Sequence, residues 1–276
     1  MSNAKIAFIG GGNMATSLIA GLVADGYAAQ DIRVSEPNPE RRNALQARYG
    51  VHAFAESAKA LAGADTIVLC VKPQIARQVC TAIAAEIPGE TPLVVSIMAG
   101  VPEQAIQDWL GRPLPIVRAM PNTPSMVQTG AIGLHASPEV DAEGRNRAET
   151  ILRAAGLVRW VADEDKIDAV TAISGSGPAY FFLFMEALEE AGIALGLDAE
   201  TARLLTIQTA LGAAKMAMES DAPPSRLREQ VTSPGGTTER ALGVFADADL
   251  RALVAGATAA ARDRAKALSK TLSEDQ

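Results

Sequence analysis

A chain of 276 residues that is 48% hydrophobic has room for one large or two medium domains and a sizeable core. Its formal net charge of −7 argues against a broad nucleic-acid surface, because binding phosphates needs clustered Lys and Arg. No apolar run reaches the roughly 18 residues of a membrane span. No basic segment followed by an apolar stretch stands at the start, so neither a membrane anchor nor a secretory signal is expected.

In chain order, residues 5–9 form a short apolar β pattern that runs into GGGNMA at 10–15 and a helical pattern over 13–25. This is G-x-G-x-x-A between a strand and a helix. Gly10 would make the tight turn, Gly12 would let a pyrophosphate approach, and Ala15 would let helix and strand pack closely. Further strands are predicted at 31–35, 66–71, 93–97, 115–119 and 130–135, with helices at 39–48, 57–62, 73–86 and 102–110. A helix at 139–155 and a short strand at 157–161 complete the series. Turn chemistry at Pro37, Pro39, Pro88, Gly89, Gly111, Pro113, Pro121 and Pro124 separates them. Alternation of this kind argues for a mostly parallel sheet covered on both faces. Past Glu164 the β patterns stop, and helices are predicted at 166–173, 178–196, 199–219, 224–231, 237–246 and 248–270, followed by a polar tail at 269–276. The composition break divides the chain into domains 1–163 and 164–276. Helix 199–219 is apolar around much of its circumference and must be covered on several sides. A partner subunit or the chain's own first domain would supply that cover, and an obligate dimer is the expectation.

Ligands of a doubly wound sheet lie across the carboxyl ends of its strands. There Val71, Lys72 and Pro73 follow one strand, with Lys72 near the cofactor ribose and phosphates. Asn122, in a loop stiffened by Pro121 and Pro124, presents an amide able to orient a nicotinamide or its ribose. Glu36 ends the second strand, where an acidic residue bonds a ribose 2′-OH and favours NAD. Ser35, Asn38, Arg41 and Arg42 could instead hold a 2′-phosphate, and the balance leans slightly to NADP. Cys70 and Cys80 read as buried thiols in a reducing cytosol. The isolated His52 and His135 give no metal-ligand spacing, so no metal is expected.

In the second half, Ser233 and Pro234 introduce a turn, and Gly235 and Gly236 permit unusual dihedrals. Thr237 and Thr238 then stand where a helix begins. Free N–H groups and the positive end of a helix dipole suit a small carboxylate there. The segment SGSGPAY at 174–180 opens the longest helix. β-Hydroxyacid dehydrogenases have a comparable glycine segment, but follow it one turn later with a lysine that handles the alcohol proton. Phe181, Phe182, Leu183, Phe184 and Met185 stand here instead. A protonated imine needs no strong acid to accept hydride, so orientation and electrostatics can supply most of the catalysis.

Taken together, GGGNMA, VKPQ (71–74), RAMPNTP (118–124), SGSGPAY and VTSPGGTT (231–238) occur in an order and at spacings that resemble the pyrroline-5-carboxylate reductase family over roughly residues 5–265. The resemblance implies an α/β Rossmann-type doubly wound sheet domain followed by an all-α dimerisation domain. It implies reduction of a cyclic imine carboxylate to proline by NADPH, with NADH possible. The substrate carboxylate would lie on the loop 233–237 (Ser233, Gly235, Gly236, Thr237), with Thr238 bonding the ring nitrogen. Glu164 and Glu229 match positions close to the substrate, and Gly11, Asn13, Met14, Ser35, Pro37, Val71, Lys72 and Ala99 match cofactor-side positions. Gly10, Gly12, Pro73 and Asn122 complete the expected cofactor set. Glu36 departs from the family, falling where many members carry a neutral residue, which puts a strict NADPH preference in doubt. The resemblance also implies a cytoplasmic homodimer, open to assembly into a higher oligomer such as a decamer. The rival readings are an oxidoreductase acting on a hydroxy acid and a non-catalytic dinucleotide-binding regulator.

Overall fold

The computed structural model describes residues 4–87, 89 and 91–274, so the predicted turn residue Pro88 lies outside the described residues. The first half alternates as expected: β1 (Ile6–Ile9), α1 (Asn13–Ala24), β2 (Ile32–Ser35), α2 (Pro39–Tyr49), β3 (His52–Phe54), α3 (Ser57–Leu61), β4 (Thr66–Leu69), α4 (Ala76–Ile83), β5 (Leu93–Ser96), α5 (Glu103–Leu110), β6 (Ile116–Met120), β7 (Gly130–Ala136), α6 (Ala142–Arg153) and β8 (Gly156–Trp160). These strands form one eight-stranded sheet in the order β3-β2-β1-β4-β5-β6-β7-β8. All neighbours run parallel except β6 and β7. Strand β3 is the element the pattern did not reveal. It has three residues, pairs only with β2, and is too short to display an alternation.

Every residue of β1, β4 and β5 is buried, as parallel strands covered on both faces require. Side chains of β1 alternate between two cores. Ile6 and Phe8 pack with Leu18, Ile19 and Leu22 of α1, while Ala7 and Ile9 pack with Ala76, Cys80 and Ile83 of α4. Burying a side chain of this size contributes about 1.5–3 kcal/mol, so these two layers carry much of the stability.

The second half holds α7 (Lys166–Val170), α8 (Gly177–Ala194), α9 (Ala199–Glu219), α10 (Pro224–Gln230), α11 (Thr237–Asp247) and α12 (Leu250–Glu274). The predicted helix 166–173 ends early, because Thr171–Gly175 widens into a π-type turn. The 269–274 part of the expected polar tail is helical, and residues 275–276 lie outside the described residues. Divided by packing, the chain forms two compact units that part at 176/177, thirteen residues beyond the composition break. One comprises Met1–Ser176 with Ala261–Gln276, the other Gly177–Ala260. The reason is packing. Ile167 is buried, Val170 lies where a Cβ on Gly133 of β7 would stand, and Leu272 packs against the α4 side of the sheet core.

In the second unit several large apolar side chains are exposed. Phe181 is 67% exposed, Leu183 66%, Leu204 60% and Leu211 59%. Exposed apolar side chains gathered on neighbouring helices are the kind of surface that partners cover.

One contact in the first unit is decisive for stability. A Cβ on Gly21 of α1 would overlap the backbone carbonyl of Ala154. Alanine is the better helix former by about 1 kcal/mol, yet Gly21→Ala should lower unfolding free energy by about 2–3 kcal/mol, the cost of overpacking against backbone. Urea denaturation of the two proteins checks the sign.

Candidate active site

The sheet order places β1 between β2 and β4, so the chain leaves β1 in one direction and later crosses to its other side. This is the switch point at which such sheets open a crevice beyond the strand ends. A cleft of about 420 Å³ lies there. It brings together Gly12, Asn13, Met14, Val71, Lys72, Pro73 and Ala99 of the expected cofactor set, and adds Arg41, Cys70, Ile97, Met120 and Pro121. A smaller cavity of about 220 Å³ is lined by Ile6, Tyr27, Thr66 and Arg147, away from these residues.

The three glycines have different reasons to be glycine. Gly10 has φ +100, and a Cβ on it would stand 2.8 Å from the carbonyl oxygen of Cys70. A Cβ on Gly11 would stand 2.9 Å from Leu45 Cδ1. Gly12 is the residue before α1, with φ −71 and ψ −175, and a Cβ on it would meet nothing within 4 Å. The backbone therefore demands Gly10, Gly11 sits tightly against the Leu45 and Glu36 side chains, and Gly12 keeps a space open. Helix α1 has neither a side-chain cap nor an acidic residue in its first turn, so its leading N–H groups and dipole suit a phosphate.

Four of the residues named from the sequence have partners within the chain. Glu36 is 5% exposed and does not reach outward; its Oε2 accepts the Gly11 N–H at 2.9 Å and its Oε1 the Asn38 N–H at 2.9 Å. Arg42 is tied down as well, donating from Nη1 to the carbonyls of Glu36 (2.8 Å) and Pro37 (2.7 Å), which leaves exposed Arg41 as the arginine of this pair that lines the cleft. Asn122 is 9% exposed, and its amide pins the backbone, donating to the Ser174 carbonyl and accepting the Ala131 N–H, both at 2.9 Å. Glu164 is likewise engaged within the first unit, where its Oε1 accepts from Arg118 Nη1 at 2.8 Å and from the Glu103 N–H at 2.9 Å. Of the rest, Ser35 is buried with its Oγ 3.3 Å from Ser57 Oγ, and Pro37 is exposed at the start of the β2–α2 loop.

A set of buried charges escaped the sequence reading. Arg118 on β6 is 5% exposed, Glu103 at the start of α5 is 7% exposed, and Glu103 Oε1 meets His135 Nδ1 of β7 at 2.7 Å. Desolvation is the main cause that raises the Glu103 carboxyl above its ordinary range, and His135 opposes it. Burial raises Asp168 of α7 as well, with Arg118 and Lys266 opposing. The signal in sequence was weak: an arginine and a histidine inside otherwise apolar strands.

The second unit carries the other expected set. Gly235 has φ +70, the left-handed region where glycine alone is unstrained. The Gly236 N–H donates to the Ser233 carbonyl at 3.0 Å, and the Gly235 N–H donates to Glu239 Oε2 at 2.7 Å. Gly236 stands at the cap position of α11 without a side-chain cap, so Thr237 and Thr238 are the first two helical residues and neither serves as the cap. Thr238 is half-buried and Thr237 exposed. Glu229 is exposed and pairs with Arg226 at 2.9 Å.

The fold, the open glycine turn and the cleft define a Rossmann-type dinucleotide oxidoreductase. Residues 5–100 match the family profile described as NADP oxidoreductase, coenzyme F420-dependent, and residues 164–268 match pyrroline-5-carboxylate reductase dimerisation. The chain is 49% identical to the pyrroline-5-carboxylate reductase of Pseudomonas aeruginosa, over 99% of this chain and 100% of that one. The solved pyrroline-5-carboxylate reductase of Coxiella burnetii matches with a TM-score of 0.93 at 48% identity, covering 96% of this chain and 98% of that chain. A pyrroline carboxylate reductase from Plasmodium falciparum, solved with NADP bound, matches with a TM-score of 0.84 at 29% identity, covering 98% and 99%. The chain belongs to the pyrroline-5-carboxylate reductase family, NAD(P)-dependent oxidoreductases of the last step of proline biosynthesis.

The differing roles of the glycines are separable by mutation. Gly12→Ala should leave the melting temperature of the free protein nearly unchanged, since its Cβ meets no protein atom within 4 Å. Dinucleotide affinity should fall about 10-fold or more, as a methyl fills the approach path. Calorimetric titration with NADPH beside a thermal melt measures both.

Proposed function

We propose that this chain reduces 1-pyrroline-5-carboxylate to L-proline, with NADPH as donor and NADH also accepted. The observation that carries this reading is similarity to named reductases over 99% of the chain, which takes in both the glycine turn and the 231–238 loop. Bound NAD(P)H supplies a hydride from C4 of its nicotinamide.

The chain's own contribution is binding and orientation. Gly12 and the first turn of α1 hold the pyrophosphate, Lys72 and Arg41 add positive charge, and Val71, Pro73 and Ala99 line the cleft. Asn13 and Met14 complete the turn, with Ser35 and Pro37 towards the adenosine end. On the second unit, residues 233–237 hold the substrate carboxylate. The Thr238 hydroxyl bonds the ring nitrogen, so that C5 of the protonated imine is presented for attack. Hydride adds to C5, the C=N π electrons pass to nitrogen, and the product is the amine of proline. No general acid is required, because the iminium is already electrophilic. Alignment of two bound reactants and a fixed charge environment then account for the rate.

The dimer is the proposed working unit. The exposed Phe181, Leu183, Leu204 and Leu211 lie within the segment that matches the dimerisation profile. Dimers of this kind could assemble further, into a decamer of five dimers. Among the described residues no helix is long and apolar enough to cross a membrane. The free thiols of Cys70 and Cys80 suit a reducing compartment. The formal net charge of −7 is unfavourable for nucleic acid. We read the chain as a cytoplasmic enzyme acting on a small molecule.

The first test is turnover. Purified protein should oxidise NADPH only when pyrroline-5-carboxylate is present and should yield proline; a folded sample inactive with both cofactors contradicts the reading. The second is Thr238→Ala. Loss of a hydrogen bond of about 1–3 kcal/mol corresponds to roughly 5- to 150-fold in kcat/KM. Thr238→Ser should lose much less, and cofactor affinity should barely move. The third is concentration dependence. If the apolar helices are covered only by a partner, unfolding should shift to lower denaturant on dilution, and a folded monomer at nanomolar concentration in sedimentation contradicts the dimer.

A further inference from the structure

We propose that Glu36 is a clasp that shapes the dinucleotide cleft and is not the residue that reads the cofactor ribose. The general rule for such folds assigns the acid at the end of the second strand to a ribose 2′-OH. Here the geometry points elsewhere. With 5% of its surface exposed, Glu36 receives a backbone N–H on each carboxylate oxygen, Gly11 on Oε2 and Asn38 on Oε1, both at 2.9 Å. One donor belongs to the β1–α1 turn and the other to the β2–α2 loop. The side chain therefore ties together the two loops between which a dinucleotide would lie.

The main chain supports the same link. The Gly10 N–H donates to the Ser35 carbonyl at 2.8 Å, and the Glu36 N–H donates to the Phe54 carbonyl at 2.9 Å. Arg42 Nη1 closes the far side through the Glu36 and Pro37 carbonyls. Gly11 is shaped to the clasp, since a Cβ there would come within 3.1 Å of Glu36 Cβ and 3.2 Å of Glu36 Cγ. Hydrogen bonds from backbone N–H to an ionised carboxylate are stronger than neutral ones, so the clasp fixes the turn before any ligand arrives. Recognition of a 2′-phosphate then falls to Arg41, which is exposed on the cleft wall.

The inference rests on the dinucleotide reading of the cleft, and the two failures give different results. The experiment is calorimetric titration of the wild type, Glu36→Gln and Arg41→Ala with NADPH and with NADH, without substrate. A carboxamide has one acceptor oxygen, so in Glu36→Gln either Gly11 or Asn38 loses its partner. Glu36→Gln should weaken both cofactors by a similar factor of about 10, leaving their ratio unchanged within about twofold. Arg41→Ala should weaken NADPH and spare NADH. Tighter NADPH with weaker NADH in Glu36→Gln overturns the clasp in favour of a ribose reader, and unchanged affinity for both overturns it outright. A wild type that binds neither dinucleotide overturns the reading of the cleft itself, and the clasp with it. Should Glu36→Gln fail to fold, amide exchange in the cofactor-free wild type decides. A protected Gly11 N–H supports the clasp, and exchange at the rate of an open loop contradicts it.

Discussion

The chain must turn from β1 into α1 beneath the carbonyl of Cys70, and at Gly10, where that turn starts, there is no room for a side chain. Gly10 takes φ +100 with its α-carbon facing that carbonyl, and Gly11 fits between Leu45 and the stem of Glu36. Because β1 lies at the middle of the sheet, between β2 and β4, this one tight turn decides where α1 begins. It also decides which strand ends surround the leading N–H groups of α1. The cleft, its wall of residues 70–73 and the loop after β2 all take their positions from it. A helix terminus carries the equivalent of about half a positive charge. With no side-chain cap or acidic residue in the first turn of α1, that charge is left for an anion.

The two units divide the chemistry by the kind of backbone each has. The sheet unit builds a rigid crevice from strands buried on both faces. The helical unit presents a loop in which Gly235, at φ +70, turns the chain so that Thr237 and Thr238 open α11. Its apolar helices are exposed in the single chain, so the geometry of this half is completed by association. Catalysis on an iminium asks little of acids and bases, and orientation of the reactants can supply most of the rate.

Much of this was legible in the residues, because strand alternation, glycine spacing and proline placement act locally. The strand–glycine–helix order at 5–25 and the helix starting at Thr237 are read directly from such local rules. Side-chain partners were less legible. Asn122 and Glu164 were expected near a ligand, and for Glu36 a ribose contact stood open; the structure adds that each holds backbone or a buried arginine of its own unit. Residue type and position along a strand end do not reveal which N–H lies within 3 Å once the sheet is assembled. Arg118 and His135 were missed for the same reason. They are opposite one another in the β6–β7 register, a pairing that exists only after the antiparallel strand is laid down. Strand β3 was invisible because its order comes from β2.

The central claim is that this reductase passes hydride directly from C4 of a bound nicotinamide to the imine carbon of its substrate. The most direct measurement uses NADPH carrying deuterium at C4, in turn on each face of the ring, with the proline product read by NMR. Direct transfer predicts that one face alone delivers its label, and that the label appears at C5 of proline without loss to solvent. Deuterium appearing in water, at another ring carbon, or from both faces alike would contradict the account.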